Sequence, residues 1–171
     1  MLEDTLVGFR LPAWRPQLKV RESTHPKFYW FDTGVARGAA GLIEDQVDSS
    51  WLGTAFETWM LHEIRAHNSY SRKNRGLFYY ALPSDLEVDL IIETRKQLRS
   101  RKSEIVAIEF KLSKRWQREW ERPIGDIAVA KKVDVAAMYG VYNGDEILQF
   151  DNFSVLPVAE FLNRLHSGKI F

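Results

Sequence analysis

Cysteine is absent from all 171 residues, which excludes disulfides and thiolate metal sites and suits a reducing compartment. No apolar run approaches the ~20 residues needed to cross a bilayer as a helix. The opening Met1-Leu2-Glu3-Asp4-Thr5 lacks the basic-then-apolar order of a secretory signal. These absences predict a soluble, cytoplasmic protein with no membrane partner. An excess of one charge is also missing: the formal net charge is +1, so any hold on nucleic acid must come from a local patch. No Gly-x-x-x-x-Gly-Lys-Ser/Thr loop occurs, so there is no ATP site in this chain. The histidines are few and scattered. His25 sits in a turn, His62 and His67 stand at i, i+5, and His166 lies near the end, a poor basis for zinc or histidine chemistry.

What is present is a core. Hydrophobic residues make up 45% and aromatics 13% of the chain, enough for one packed domain. Residues 2–6 resemble the tail of a helix whose start is missing, and Pro12, Trp14 and Pro16 then punctuate the chain. Short strands are expected at 17–21 and 27–31, joined by a turn at 23–26, with a short helix at 35–38 capped from 32–34. The clearest helix runs over 51–66, where Leu52, Phe56, Met60, Leu61 and Ile64 form an apolar stripe. Strands at 77–82 and 86–93 flank a turn at 83–85. Further strands are expected at 105–111, 133–141, 146–150 and 153–156, and Asn143-Gly144 marks a turn. A helix should end near 132, and Pro157 should open a last amphipathic helix with Val158, Phe161, Leu162 and Leu165.

Several charged residues sit where charge is costly. In the strand at 105–111, Glu109 and Lys111 share one face while Ile108 and Phe110 share the other. A carboxylate there needs a partner, either a salt bridge at a sheet edge or a metal ion. Asp89 stands in a strand between Val88 and Leu90, and aspartate is disfavoured in strands. By strict alternation Val88, Leu90 and Ile92 face one way, and Glu87, Asp89 and Ile91 the other. Glu57 lies on or beside the helix stripe, as a flank ion pair or as a group held towards a site. Residues 94–103 form a basic loop carrying Arg95, Lys96, Arg99, Arg101 and Lys102, either solvated or in contact with phosphate. Lys114, Arg115 and Arg118 accompany Trp116 and Trp120, whose i, i+4 spacing favours helix packing over base stacking.

The order helix, strand, strand, strand, helix, strand, with these residues on it, resembles the PD-(D/E)XK nuclease superfamily. Asp89 matches its isolated acid, Glu109-Phe110-Lys111 its Glu-x-Lys, and Glu57 its optional helix glutamate. Segments 2–6, 26–34, 53–57, 87–90 and 107–113 further resemble the C-terminal domain of a large family of prokaryotic AAA+-type ATPases of poorly defined function. The resemblance implies an α/β fold with a restriction-endonuclease-like core, a central mixed sheet flanked by helices, and an N-terminal β-hairpin extension. Residues 1–45 would be a linking segment with a hairpin, the remnant of a winged-helix linker, and residues 46–171 the nuclease-like domain. The chain would then be a fragment lacking its ATPase module.

That resemblance makes Glu57, Asp89, Glu109 and Lys111 the expected catalytic set. Asp89, Glu109 and the main-chain carbonyl of Phe110 would hold Mg²⁺ or Mn²⁺, hard ions suited to oxygen ligands. Arg95, Lys96, Arg99, Arg101, Lys102, Lys114, Arg115 and Arg118 would guide a DNA or other nucleic acid backbone. The implied activity is metal-dependent phosphodiester hydrolysis. The alternative is a catalytically inert nuclease-fold module that binds or regulates an ATPase, present in trans or in a longer parent chain. A third reading treats the four charged residues as a buried ion-pair network. An exposed edge strand near the N-terminus would also invite homo-oligomerisation.

Overall fold

Asp48 begins the element on which the sheet is laid. Its carboxylate accepts a hydrogen bond from the Trp51 amide at 2.8 Å, capping the long helix Ser49–Tyr70. A computed structural model describes residues 7–15, 25–81, 87–96, 102–129 and 133–171. In chain order these form strands β1 (Gly8–Leu11) and β2 (Lys27–Trp30), helices α1 (Thr33–Ala39) and α2 (Ser49–Tyr70), and strands β3 (Gly76–Ala81), β4 (Glu87–Arg95) and β5 (Glu104–Lys111). A 3₁₀ turn at Arg118–Glu121 leads into α3 (Arg122–Val129). Then come β6 (Asp134–Tyr142), β7 (Leu148–Phe150), β8 (Phe153–Pro157) and α4 (Val158–His166).

The protein is α/β, a six-stranded mixed sheet flanked by helices with an antiparallel hairpin at its N-terminal side. The sheet order is β3-β4-β5-β6-β8-β7. Strands β3, β4 and β5 are antiparallel, β5, β6 and β8 run parallel, and β7 returns antiparallel to β8. Central β5 is apolar on both sides because both faces are covered. Val106, Ile108 and Phe110 pack with Met60, Leu61 and Ile64 of α2 and Phe161 and Leu165 of α4. Ile105 and Ala107 pack on the opposite side with Ile124 and Ile127 of α3. Among the described residues, no helix is long and apolar enough to cross a membrane.

Three expectations are corrected. Strand β2 pairs with Gly8–Leu11, a segment in which no strand was expected because it is short and runs into Pro12. The expected partner at 17–21, the helix tail at 2–6, most of the turn at 23–26, the turn at 83–85 and the helix end at 132 lie outside the described residues. The hairpin shares the main core, since Phe9, Leu11 and Tyr29 pack with α2 and β5. Second, Leu52 of the expected stripe is 46% exposed, because it lies in the first turns of α2 on an open groove shared with Leu112 and Val158. Third, β4 does not alternate strictly. Phe78 pairs with Ile91 but Tyr80 pairs with Val88, so β4 carries one extra residue, a bulge. Val88 therefore joins Ile91 in the α3-side core while Leu90 and Ile92 face α2.

The aromatic pair after β5 is a packing unit. Trp116 and Trp120 meet edge to face at 5.1 Å, and Trp116 also contacts Tyr142 and Phe153. The indole lies over Gly140 of β6, where an added Cβ would stand 2.4 Å from its Cη2. Gly140→Ala should therefore displace the ring and destabilise the fold by about 1–3 kcal/mol, read as a lower urea midpoint with an unchanged m-value.

Candidate active site

The bulge in β4 falls at Asp89, at the end of the sheet where the β4–β5 ladder stops. The last pair on that side is Leu90 with Ile108. Beyond it the Asp89 side chain does the work of a backbone carbonyl: its Oδ2 accepts the Phe110 amide at 2.8 Å. This bond ties Asp89 directly to the middle of Glu109-Phe110-Lys111. On the adjacent position of β5, Glu109 is 4% exposed. Its Oε1 accepts from Lys111 Nζ at 2.5 Å. Its other oxygen, Oε2, is buried without a hydrogen-bond partner. An unpartnered carboxylate oxygen in the interior costs about 1–3 kcal/mol or more.

Electrostatics sharpen this picture. Burial, then the charges of Glu109 and Glu57, push Asp89 well above the usual carboxylate range. Burial also raises Glu109, against the opposing pull of Lys111. Burial alone would lower Lys111, but the charges of Asp89, Glu109 and Glu57 outweigh it and hold the ammonium protonated to higher pH. The two carboxyls share one pocket and cannot both ionise cheaply.

Glu57 reaches this group from α2. It accepts from the Tyr29 hydroxyl and lies 3.7 Å from Lys27 Nζ. Lys27 pairs as well with Glu87 at the start of β4. Burial would lower Lys27, but Glu57, Glu87 and Asp89 raise it overall. Burial and the Glu57 charge raise the Tyr29 hydroxyl. Lys27, Tyr29 and Glu87 were not among the residues singled out from sequence. The signal was the 26–34 motif, whose Lys and Tyr alternate by one and enter the site from the far side of the chain. Four carboxylates thus face two ammonium groups, an excess of two negative charges when all are ionised. Among the described residues no three His, Cys, Asp or Glu side chains group as a metal cage. Asp89 and Glu109, two crowded acids of which one has an orphaned oxygen, are the residues here that could hold a divalent ion.

The basic residues do not form one surface. Arg95, Lys96 and Lys102 lie at the opposite end of β4 and β5 from Asp89 and Lys111. Six residues of extended strand separate Asp89 from Arg95, about 20 Å. Arg95 is held by Glu104 at 3.1 Å and Asp134 at 3.2 Å. Arg118 is paired with Glu121 at 2.7 Å and stacked 3.9 Å from the Phe150 ring. Lys114 and Arg115 are exposed and follow Lys111 at the acidic end. Arg99 and Arg101 lie outside the described residues.

All four acid and lysine positions, Glu57, Asp89, Glu109 and Lys111, fall within residues 52–161, which match the family described as Domain of unknown function (DUF4143). The match covers more than half of the chain, and the chain belongs to that family. Comparison with curated proteins and with solved structures found no match.

The raised Asp89 and Glu109 values carry a stability signature. A carboxyl whose folded pKa lies above its unfolded value binds its proton more tightly when folded, so the stability it contributes is present at low pH. That stability is lost as pH rises from near the ordinary value of 3.8 through the raised one. Asp89→Asn keeps an oxygen for the Phe110 amide and removes the charge. The variant should melt higher than wild type at pH 8, by about 2–4 °C per kcal/mol relieved, with the gap closing towards pH 4.

Proposed function

We propose that this domain hydrolyses phosphodiesters in nucleic acid with Mg²⁺ or Mn²⁺ held by Asp89, Glu109 and the Phe110 carbonyl. The observation that carries the reading is the buried, unpartnered Glu109 Oε2 beside Asp89, an acid pair whose charges repel and whose outstanding need is a cation. A divalent ion supplies Lewis acidity, lowering the pKa of a bound water and offsetting charge on the phosphate. Lys111, kept protonated by its acidic neighbours, donates hydrogen bonds to a phosphate oxygen and stabilises the charge that builds in the transition state. Glu57, held by Tyr29 and Lys27, orients a water on the open side. Lys114 and Arg115 are the cations placed to contact the flanking backbone. A restriction-endonuclease-like core and an AAA+-type ATPase partner, in trans or in a longer chain, belong to this same reading.

A second reading rests on a separate feature. An apolar groove of about 820 Å³ runs between α2, α4 and the segment after β5. Within it Leu52 and Trp59 are 46% exposed and Leu112 is 41% exposed. Such a surface suits a partner protein, as an accessory module of an ATPase would need, with the acid cluster then catalytically inert.

Calorimetric titration of Mn²⁺ into wild type and Asp89→Ala, followed by incubation with single- and double-stranded DNA, separates the two. Wild type should bind Mn²⁺ and cleave, and Asp89→Ala should lose both. Lys111→Ala should keep Mn²⁺ and lose cleavage by about 10²–10³-fold. Absence of Mn²⁺ binding by wild type overturns the nuclease reading, and Mn²⁺ binding without cleavage favours the accessory role.

A further inference from the structure

Segment 26–34 contributes Lys27 and Tyr29 to the acid cluster, but most of its side chains point elsewhere in the fold's economy. Strand β2 and the start of α1 form one wall of a cavity of about 410 Å³, and the first turns of α2 form the other. That volume lies in the range of small-ligand sites. Its walls are aromatic: Phe28 and Trp30 from β2, set edge to face at 5.4 Å, and Trp51 from α2. The Arg37 guanidinium backs Trp51, 5.5 Å from the ring. Polar groups of both kinds line the cavity: the Lys27 ammonium donates, while Thr54, Thr58 and Glu57 offer acceptors. The Thr54 hydroxyl donates its hydrogen to the Ser50 carbonyl at 3.2 Å and the Thr58 hydroxyl to the Thr54 carbonyl at 2.7 Å. Their lone pairs remain, and Glu57 adds a carboxylate.

Flat aromatic walls with a donor and several acceptors between them suit a flat ring that carries both N–H donors and ring acceptors, as a nucleobase does. Glu57 lines this cavity and also acts electrostatically on Asp89, so the cavity and the acid pair adjoin through one residue. We propose that the cavity between β2 and α2 is a nucleobase subsite, stacking one base of a nucleic acid whose neighbouring phosphate lies at Asp89, Glu109 and Lys111. This deepens the nucleic-acid reading above and rests on it. A single-stranded or locally opened substrate follows, because a base paired in a duplex does not present its faces to aromatic side chains.

The test needs neither metal nor cleavage. Adenosine, which carries a base and no phosphate, is titrated into ¹⁵N-labelled protein while the six tryptophan indole N–H signals, assigned by single substitution, are followed by NMR. Saturable shifts should appear at Trp30 and Trp51 and not at the other four, and ribose alone should cause none. Trp51→Ala should weaken adenosine binding roughly ten-fold, and Trp51→Phe should restore most of it. No saturable shift at Trp30 and Trp51, or equal shifts with ribose, overturns the proposal. Adenosine binding in a protein that cleaves no DNA leaves the base site standing and removes the nuclease reading. Cleavage without adenosine binding does the reverse.

Discussion

The hydrogen bond from the Phe110 amide to the Asp89 carboxylate is the joint on which the site depends. Two antiparallel strands diverge after Leu90 and Ile108, and a buried amide left there would go unsatisfied. Asp89 supplies the acceptor. Because it does so with a charged side chain, a carboxylate is drawn into the sheet's interior one residue from Glu109. The bulge in β4 makes this placement sterically available by adding a residue where regular pairing would have kept Asp89 in line.

Everything else at that end of the sheet responds to the resulting charge. Lys111 is held against Glu109, Lys27 against Glu57 and Glu87, and Tyr29 gives its hydroxyl hydrogen to Glu57. Two ammoniums do not balance four carboxylates, and Glu109 keeps one buried oxygen without a partner. Half-satisfied buried polar groups cost more than an apolar core, so this end of the sheet carries a stability cost. That cost is the observation on which the proposed cation site rests.

The hairpin changes what the site is. It is far from α2 and β5 in sequence but packs in the same core, so its short strand β2 can present Lys27 and Tyr29 to the acids, and all four of its residues line the neighbouring cavity. One four-residue strand thereby borders two adjoining surfaces, with Lys27 and Tyr29 common to both. The Arg95 end of the sheet, by contrast, is an ion-paired surface about 20 Å away.

Local pattern by itself determined the helices, most of the strands and the odd placement of Asp89, Glu109, Lys111 and Glu57. Burial of β-branched runs, the helical stripe of α2 and strand alternation are all short-range signals. The bulge was not legible, because an extra residue in β4 shows only against its partner β3, and so Val88 was assigned to the wrong face. The pairing of β2 with Gly8–Leu11 was missed for a similar reason: four residues beside a proline carry too little periodicity to compete with a longer candidate. Lys27, Tyr29 and Glu87 could not be joined to the acids from spacing alone, since ion pairs over 30 to 60 residues of chain are settled by packing. The sequence determined which residues would be costly to bury; only the tertiary structure decided which of them share one buried pocket, because charge interactions depend on distance through space.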